Sequence, residues 1–159
     1  MRGLTIIIFL TLFSCKQSVS TEKGDIIEQN QAENIALEFI NNYVGFCNDR
    51  NSELGLTEWI SEQSNVSEQF NTELKKLITE TEIIKPELGL GFDPIFNAQD
   101  YPNKGFELDK SDKKSEYITV KGKNWNDFKL KIKMERKNEQ WLVNGIGIIN
   151  MTENERIER

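Results

Sequence analysis

Apolar residues recur along this chain with two different periods, and the change from one to the other divides it into helices followed by strands. Ala32, Ile35, Ala36, Phe39, Ile40, Tyr43 and Val44 lie three or four residues apart, which gathers them on one face of a long amphipathic helix. Cys47 continues that face and reads as a small core residue rather than a reactive thiol. Leu56, Trp59 and Ile60 predict a short second helix over 54–60. Asn65-x-x-Glu68 has the form of a capping box ahead of Val66, Phe70, Leu74, Leu77 and Ile78, a third helix that Lys85-Pro86 ends. Farther on, Phe128, Leu130, Ile132 and Met134 alternate with Lys129, Lys131, Lys133 and Glu135, the pattern of a half-buried antiparallel strand. A hairpin connection over 137–140 leads into an apolar strand over 141–149, and 106–108 and 117–121 read as two further strands around a polar turn at 111–115. Helices first and strands afterwards predict an α+β fold, with about three N-terminal helices packed on one face of a curved four-stranded antiparallel sheet.

The N-terminus follows neither period. After Met1-Arg2-Gly3, residues 4–13 (LTIIIFLTLF) are apolar apart from two threonines, and the chain turns polar directly after Ser14-Cys15. Ten helical residues span about 15 Å, half of a hydrocarbon core of about 30 Å, so the run fits the apolar region of an export signal. Leu12-Phe13-Ser14-Cys15 resembles the lipobox of bacterial lipoproteins, with Phe13 bulkier than the usual occupant. That resemblance implies a signal peptide over 1–14, lipidation of Cys15 by a diacylglyceryl group and further acyl chains such as palmitate, and a membrane anchor. More than one chain matters, because a single acyl chain binds membranes with only about 10⁴ M⁻¹. Residues 15–29 then read as the lipidated cysteine and a flexible tether, 30–150 as a single domain, and 151–159 as a polar C-terminal tail. No acidic run follows Cys15, which favours the periplasmic face of the cell membrane or outer membrane over the cell surface.

Charge and composition narrow the chemistry. The formal net charge of the 159-residue chain is −6, and loss of Arg2 with the signal makes it more acidic still. Without a basic cluster there is no phosphate neutralisation, so nucleic acid is excluded as a partner. The chain has no histidine, which excludes Ser-His-Asp and Cys-His catalysis and His-bearing zinc sites. Of two cysteines one is Cys15, so Cys47 has no partner for an intramolecular disulfide. Lys129, Lys131 and Lys133 form a basic stripe that reads as a solvated sheet face discouraging edge pairing.

Between helices and strands, residues 89–102 (GLGFDPIFNAQDYP) show no period and combine two prolines and two aspartates with large apolar side chains. Asp93, Gln99, Asp100 and Tyr101 are the candidate binding or loop-fixing residues, because long ordered loops in small domains often carry function. Asp-Pro pairs are also turn formers, and a packed connection is the alternative. Phe92, Ile95 and Phe96 are too apolar to be left in water, which predicts an ordered loop. The D-P-I-F-N-A-Q-D-Y-P stretch, with the strands and the terminal W-L-V-N-G-I, resembles the small bacterial lipoproteins catalogued as domain of unknown function 3828 and the wider nuclear transport factor 2-like superfamily. The resemblance spans about 30–149 and implies a cone-like arrangement with a pocket between sheet and helices. In superfamily enzymes that pocket holds a carboxylate base, a role open in principle to Asp93 or Asp100 beside Tyr101. Asp93 and Asp100 lack the dense spacing of a calcium loop, so no metal and no cofactor is expected. A non-enzymatic domain binding a small molecule or a protein is the leading expectation. An immunity-type lipoprotein neutralising an exported toxin and an Asp-dependent enzyme are the alternatives.

Overall fold

A computed structural model describes residues 19–111 and 116–157. Cys15, the expected export signal and part of the expected 111–115 turn lie outside the described residues. Three helices, α1 (Val19–Asn48), α2 (Leu56–Ser61) and α3 (Glu68–Ile84), precede four strands, β1 (Phe106–Ser111), β2 (Tyr117–Gly122), β3 (Trp125–Lys137) and β4 (Gln140–Ile146). The strands pair in chain order as an antiparallel meander, β1-β2-β3-β4. The helices pack against this sheet, the α+β class that the change of period predicts.

Alternation along β3 decides which face is covered. Phe128, Leu130, Ile132 and Met134 are buried, whereas Lys129, Lys131 and Lys133 lie on the opposite face. From the helical side come Phe39, Ile40 and Tyr43 of α1, Ile60 of α2, and Phe70 and Leu74 of α3, none more than 1% exposed. Phe96 and Phe106 join them, so side chains fill the space between helices and sheet where the family resemblance implies a pocket. Each strand pair has a shift of register, at Leu108/Lys110, Lys121/Gly122 and Lys133/Met134. Such irregularities sharpen local twist and curve the sheet.

Several boundaries differ from the sequence reading. The stretch expected to be a flexible tether is helical from Val19 on. Extending an existing helix costs far less than nucleating one, and Glu28 of this extension is tied at 2.8 Å to Arg136 at the end of β3. The third helix is capped by Ser67, not Asn65: Ser67 Oγ accepts the Phe70 N–H at 3.0 Å and donates to Asn144 Oδ1 at 2.6 Å. β4 stops at Ile146 because Gly147 turns the chain at φ +60°, where a Cβ would strike the carbonyls of Pro94 and Ile95. The expected polar tail is fastened to the domain at several points, with Thr152, Glu153 and Asn154 left exposed. Met151 is buried, Arg156 donates twice to the Met151 carbonyl, and a 3₁₀ turn at Glu153–Glu155 closes the chain against the sheet.

Candidate functional site

The 91–102 loop is built around Asp93. Its Oδ1 accepts the backbone N–H groups of Ile95 and Phe96, both at 2.8 Å, closing the turn that Asp-Pro predicts. Its Oδ2 accepts a short hydrogen bond from the hydroxyl of Tyr43 on α1. The Asp93 N–H meets the Ala98 carbonyl at 2.9 Å, pinching the base of the loop. Ile95 and Phe96 are fully buried as expected, while Phe92 keeps 37% of its surface exposed, contrary to expectation. Burial pushes the Asp93 carboxyl above its usual range, opposed by the hydrogen bonds from Tyr43, Phe96 and Ile95. Burial, and then the Asp93 charge, push the Tyr43 hydroxyl far upward, so it stays a donor. Asp93 therefore fixes the loop with both oxygens.

Cys47, one turn after Tyr43, is half-buried rather than enclosed, and burial pushes its thiol up to about 11. It opens on a polar surface cleft of about 610 Å³ beside Arg50, Asp100, Tyr101 and Lys104. Tyr101 stacks on Phe96 with centroids 4.6 Å apart and donates to Asn48 Oδ1 at 3.1 Å. Gln99 donates to the Gly91 carbonyl at 3.2 Å, bracing the loop from outside. Gln99 and Asp100 also line a shallower cleft of about 310 Å³ with Trp125. Of the four candidates, Asp93 faces inward to Tyr43, while Gln99 and Asp100 are exposed at the surface. They do not converge on one point, and among the described residues no trio of Cys, Asp or Glu is placed to hold a metal ion.

A third concavity was not foreseen from the sequence. It is a groove of about 460 Å³ between the middle of α1, the 64–65 segment and the start of β4. Gln31, Asn34 and Ile35 form the helical wall. Ser64 and Asn65 form its end, and Gln140, Trp141 and Leu142 the strand wall. Two buried polar atoms here lack a partner in the protein: Asn65 Oδ1, an acceptor, and Trp141 Nε1, a donor. An unmet buried polar atom costs about 1–3 kcal/mol, and both atoms are sealed from solvent although their residues line the groove. Asn65 is held there by its backbone, whose carbonyl accepts the Val143 N–H at 2.8 Å.

The lysine stripe is partly neutralised. Lys129 pairs with Asp109 at 2.8 Å, Lys133 with Glu155 at 3.2 Å, and Lys131 lies over the Tyr117 ring. No protein-family model, no curated protein and no solved structure matches this chain.

Proposed function

We propose that the chain is a lipid-anchored, extracytoplasmic binding protein, tethered through Cys15, that holds its ligand without chemical conversion in the groove between α1 and β4. The anchor rests on the short apolar run ending at Ser14-Cys15. The binding role rests on one observation: a groove of about 460 Å³, of ligand size, is lined by the amides of Gln31, Asn34 and Gln140 beside Ile35, Leu142 and Trp141. Asp93 is a poor candidate for a general base, because both its oxygens are occupied by Ile95, Phe96 and Tyr43. A second reading, capture of a protein such as an exported toxin, draws on Ile83, Ile84 and Leu88. These end α3 and open the following loop with about three-quarters of their surface exposed.

Two measurements test the proposal. Wild-type protein is expected to fractionate with membranes after carbonate washing and Cys15→Ser to be released; retention of the variant overturns the anchor. For the groove, the three tryptophans give separate indole N–H signals in nuclear magnetic resonance, and Trp141→Phe assigns one of them. Saturable movement of that signal with a small polar solute is expected. If solutes move only signals from the Ile83–Leu88 end, the protein-capture reading replaces this one.

A further inference from the structure

We infer that the groove between α1 and β4, on its reading as the binding site, takes an organic cation, an ammonium group on an apolar body, with Glu139 as the counter-charge. Among the described residues that line the groove, Glu139 alone is charged, and neither lysine nor arginine is present. The tip of the β3–β4 hairpin sets this carboxylate apart. Arg136 and Lys137 are each matched with an acid from a helix, Glu28 at 2.8 Å and Glu68 at 3.2 Å. Glu139 is exposed and has no ionic partner among the described residues. Over 136–140 it is the one charge left uncompensated.

The backbone makes the same residue stand out. Glu139 holds φ +63° at the second position of a two-residue turn, where glycine is unstrained and an L side chain is not. Asn138 beside it, at φ +50°, is of a type that tolerates this region; glutamate is not. A carboxylate kept in strain on the wall of a groove points to a task in the groove, since the turn itself is better served by glycine.

Charge then selects the ligand. An anion in the groove meets a carboxylate and no opposite charge, and the net charge of −6 opposes its approach while drawing cations in. A metal ion finds one carboxylate, too few ligands for a hard cation. An ammonium group is held by less: a carboxylate, amide oxygens such as those of Gln31, Asn34 and Gln140, and an aromatic ring, which attracts it through the ring quadrupole. Trp141 is the aromatic residue here, and with Ile35 and Leu142 it supplies apolar surface for the body of the ligand.

The test uses the full-length protein, ¹⁵N-labelled, in a maltoside detergent. Four probes are titrated: choline, its neutral isostere 3,3-dimethylbutan-1-ol, acetate, and the capped peptide acetyl-Ala-Lys-Ala-amide. Choline is expected to move the Trp141 indole signal saturably while those of Trp59 and Trp125 stay in place, and to bind about fivefold more tightly than the isostere. A response to the peptide stronger than that to choline assigns the ammonium group to a lysine of a partner protein, and the reverse order to a free amine; the ligand class stands in both. Glu139→Gln and Glu139→Gly are each expected to weaken choline binding about fivefold, the loss of one exposed ion pair. Glu139→Gly does so while raising the unfolding midpoint, which separates a lost counter-charge from a damaged fold. Choline binding that is unchanged in either variant, or an isostere or acetate that binds as tightly as choline, overturns the ligand class and leaves the groove as a binding site. If no probe moves the signal, neither the ligand class nor the groove reading stands.

Discussion

Tyr43 and Asp93 join two parts of the chain that no local pattern connects. Tyr43 sits on the apolar face of α1, where periodicity registers it as one more core residue and hides its hydroxyl. Asp93 was legible as a turn former, and its bonds to Ile95 and Phe96 fulfil that reading; the partner fifty residues away was not. Removing the hydroxyl by Tyr43→Phe strands one oxygen of a buried carboxylate. It is expected to cost about 1–3 kcal/mol at neutral pH, read by urea denaturation. The pH dependence has a definite sign. The folded pKa of Asp93 is raised, chiefly by burial, so the fold is best served by this group below its ordinary pKa and loses stability as pH rises through the folded value. The Tyr43 bond opposes that rise, and its loss enlarges the penalty. The deficit of Tyr43→Phe should thus be larger near pH 7 than near pH 4. Equal deficits at both would mean that the hydroxyl does not serve the charged carboxylate. Cys47 yields a companion expectation. With its thiol pushed up to about 11, alkylation of Cys47 should still be accelerating between about pH 9 and pH 10, where a thiol of ordinary pKa, about 8.5, approaches its plateau.

At the scale of elements, helix and strand periods were legible because burial imposes them, while ends were not, because ends depend on single hydrogen bonds. The start of α3 is the clearest case. Asn65 and Ser67 are both good caps, and what selects Ser67 is Asn144, seventy-seven residues away, which accepts its hydroxyl. Ser67→Ala strands the Phe70 N–H and deprives Asn144 of its donor, and is expected to cost about 1–3 kcal/mol by thermal or urea unfolding. Asn65→Ala removes a buried atom with no protein partner, so it is expected to leave stability unchanged or raise it, by up to about 1 kcal/mol. A reversed ranking would return the cap to Asn65. The β3–β4 hairpin was legible from its polar connection, yet its chemistry is unusual: Asn138 and Glu139 both adopt positive φ, +50° and +63°. Paired positive φ values make a type I′ turn, which favours glycine at the second position. Glu139→Gly is therefore expected to stabilise the protein by about 1 kcal/mol, and an unchanged midpoint would show that Glu139 meets no strain there.

For the molecule as a whole, the least legible part was the end of the chain, where a polar composition without period concealed a lock across the outer face of the sheet. Tyr117 of β2 and Lys133 of β3 are direct neighbours in register, and both reach Glu155: the Tyr117 hydroxyl donates a short hydrogen bond and the Lys133 ammonium lies 3.2 Å away. Glu155 also accepts the Thr152 N–H at 2.7 Å and the Thr152 hydroxyl at 2.8 Å, which closes the terminal turn on itself. These partners, the Tyr117 bond first and the Thr152 bonds next, hold the carboxyl down to about 2, against an ordinary 4.5. Because the folded pKa is depressed, the lock is complete above the ordinary value and is lost as pH falls from 4.5 toward 2. The interior does not add to this loss, since the folded pKa of Asp93, its titrating neighbour, is raised and favours the fold as pH falls, and the remaining buried polar side chains among the described residues, Tyr43, Ser67 and Asn144, do not titrate there. The terminal turn should therefore open on acidification before the sheet does. Hydrogen exchange reads this directly, because the Glu155 and Arg156 amides are bonded to the carbonyls of Thr152 and Glu153. Corrected for intrinsic rates, their protection is expected to fall between about pH 4.5 and pH 2 while the β2–β3 amides stay protected, as local openings below the global stability allow. Glu155→Gln should show the same loss at neutral pH. Protection at Glu155 and Arg156 that holds down to global unfolding would mean that Met151 and Arg156, not the carboxylate, fasten the end of the chain.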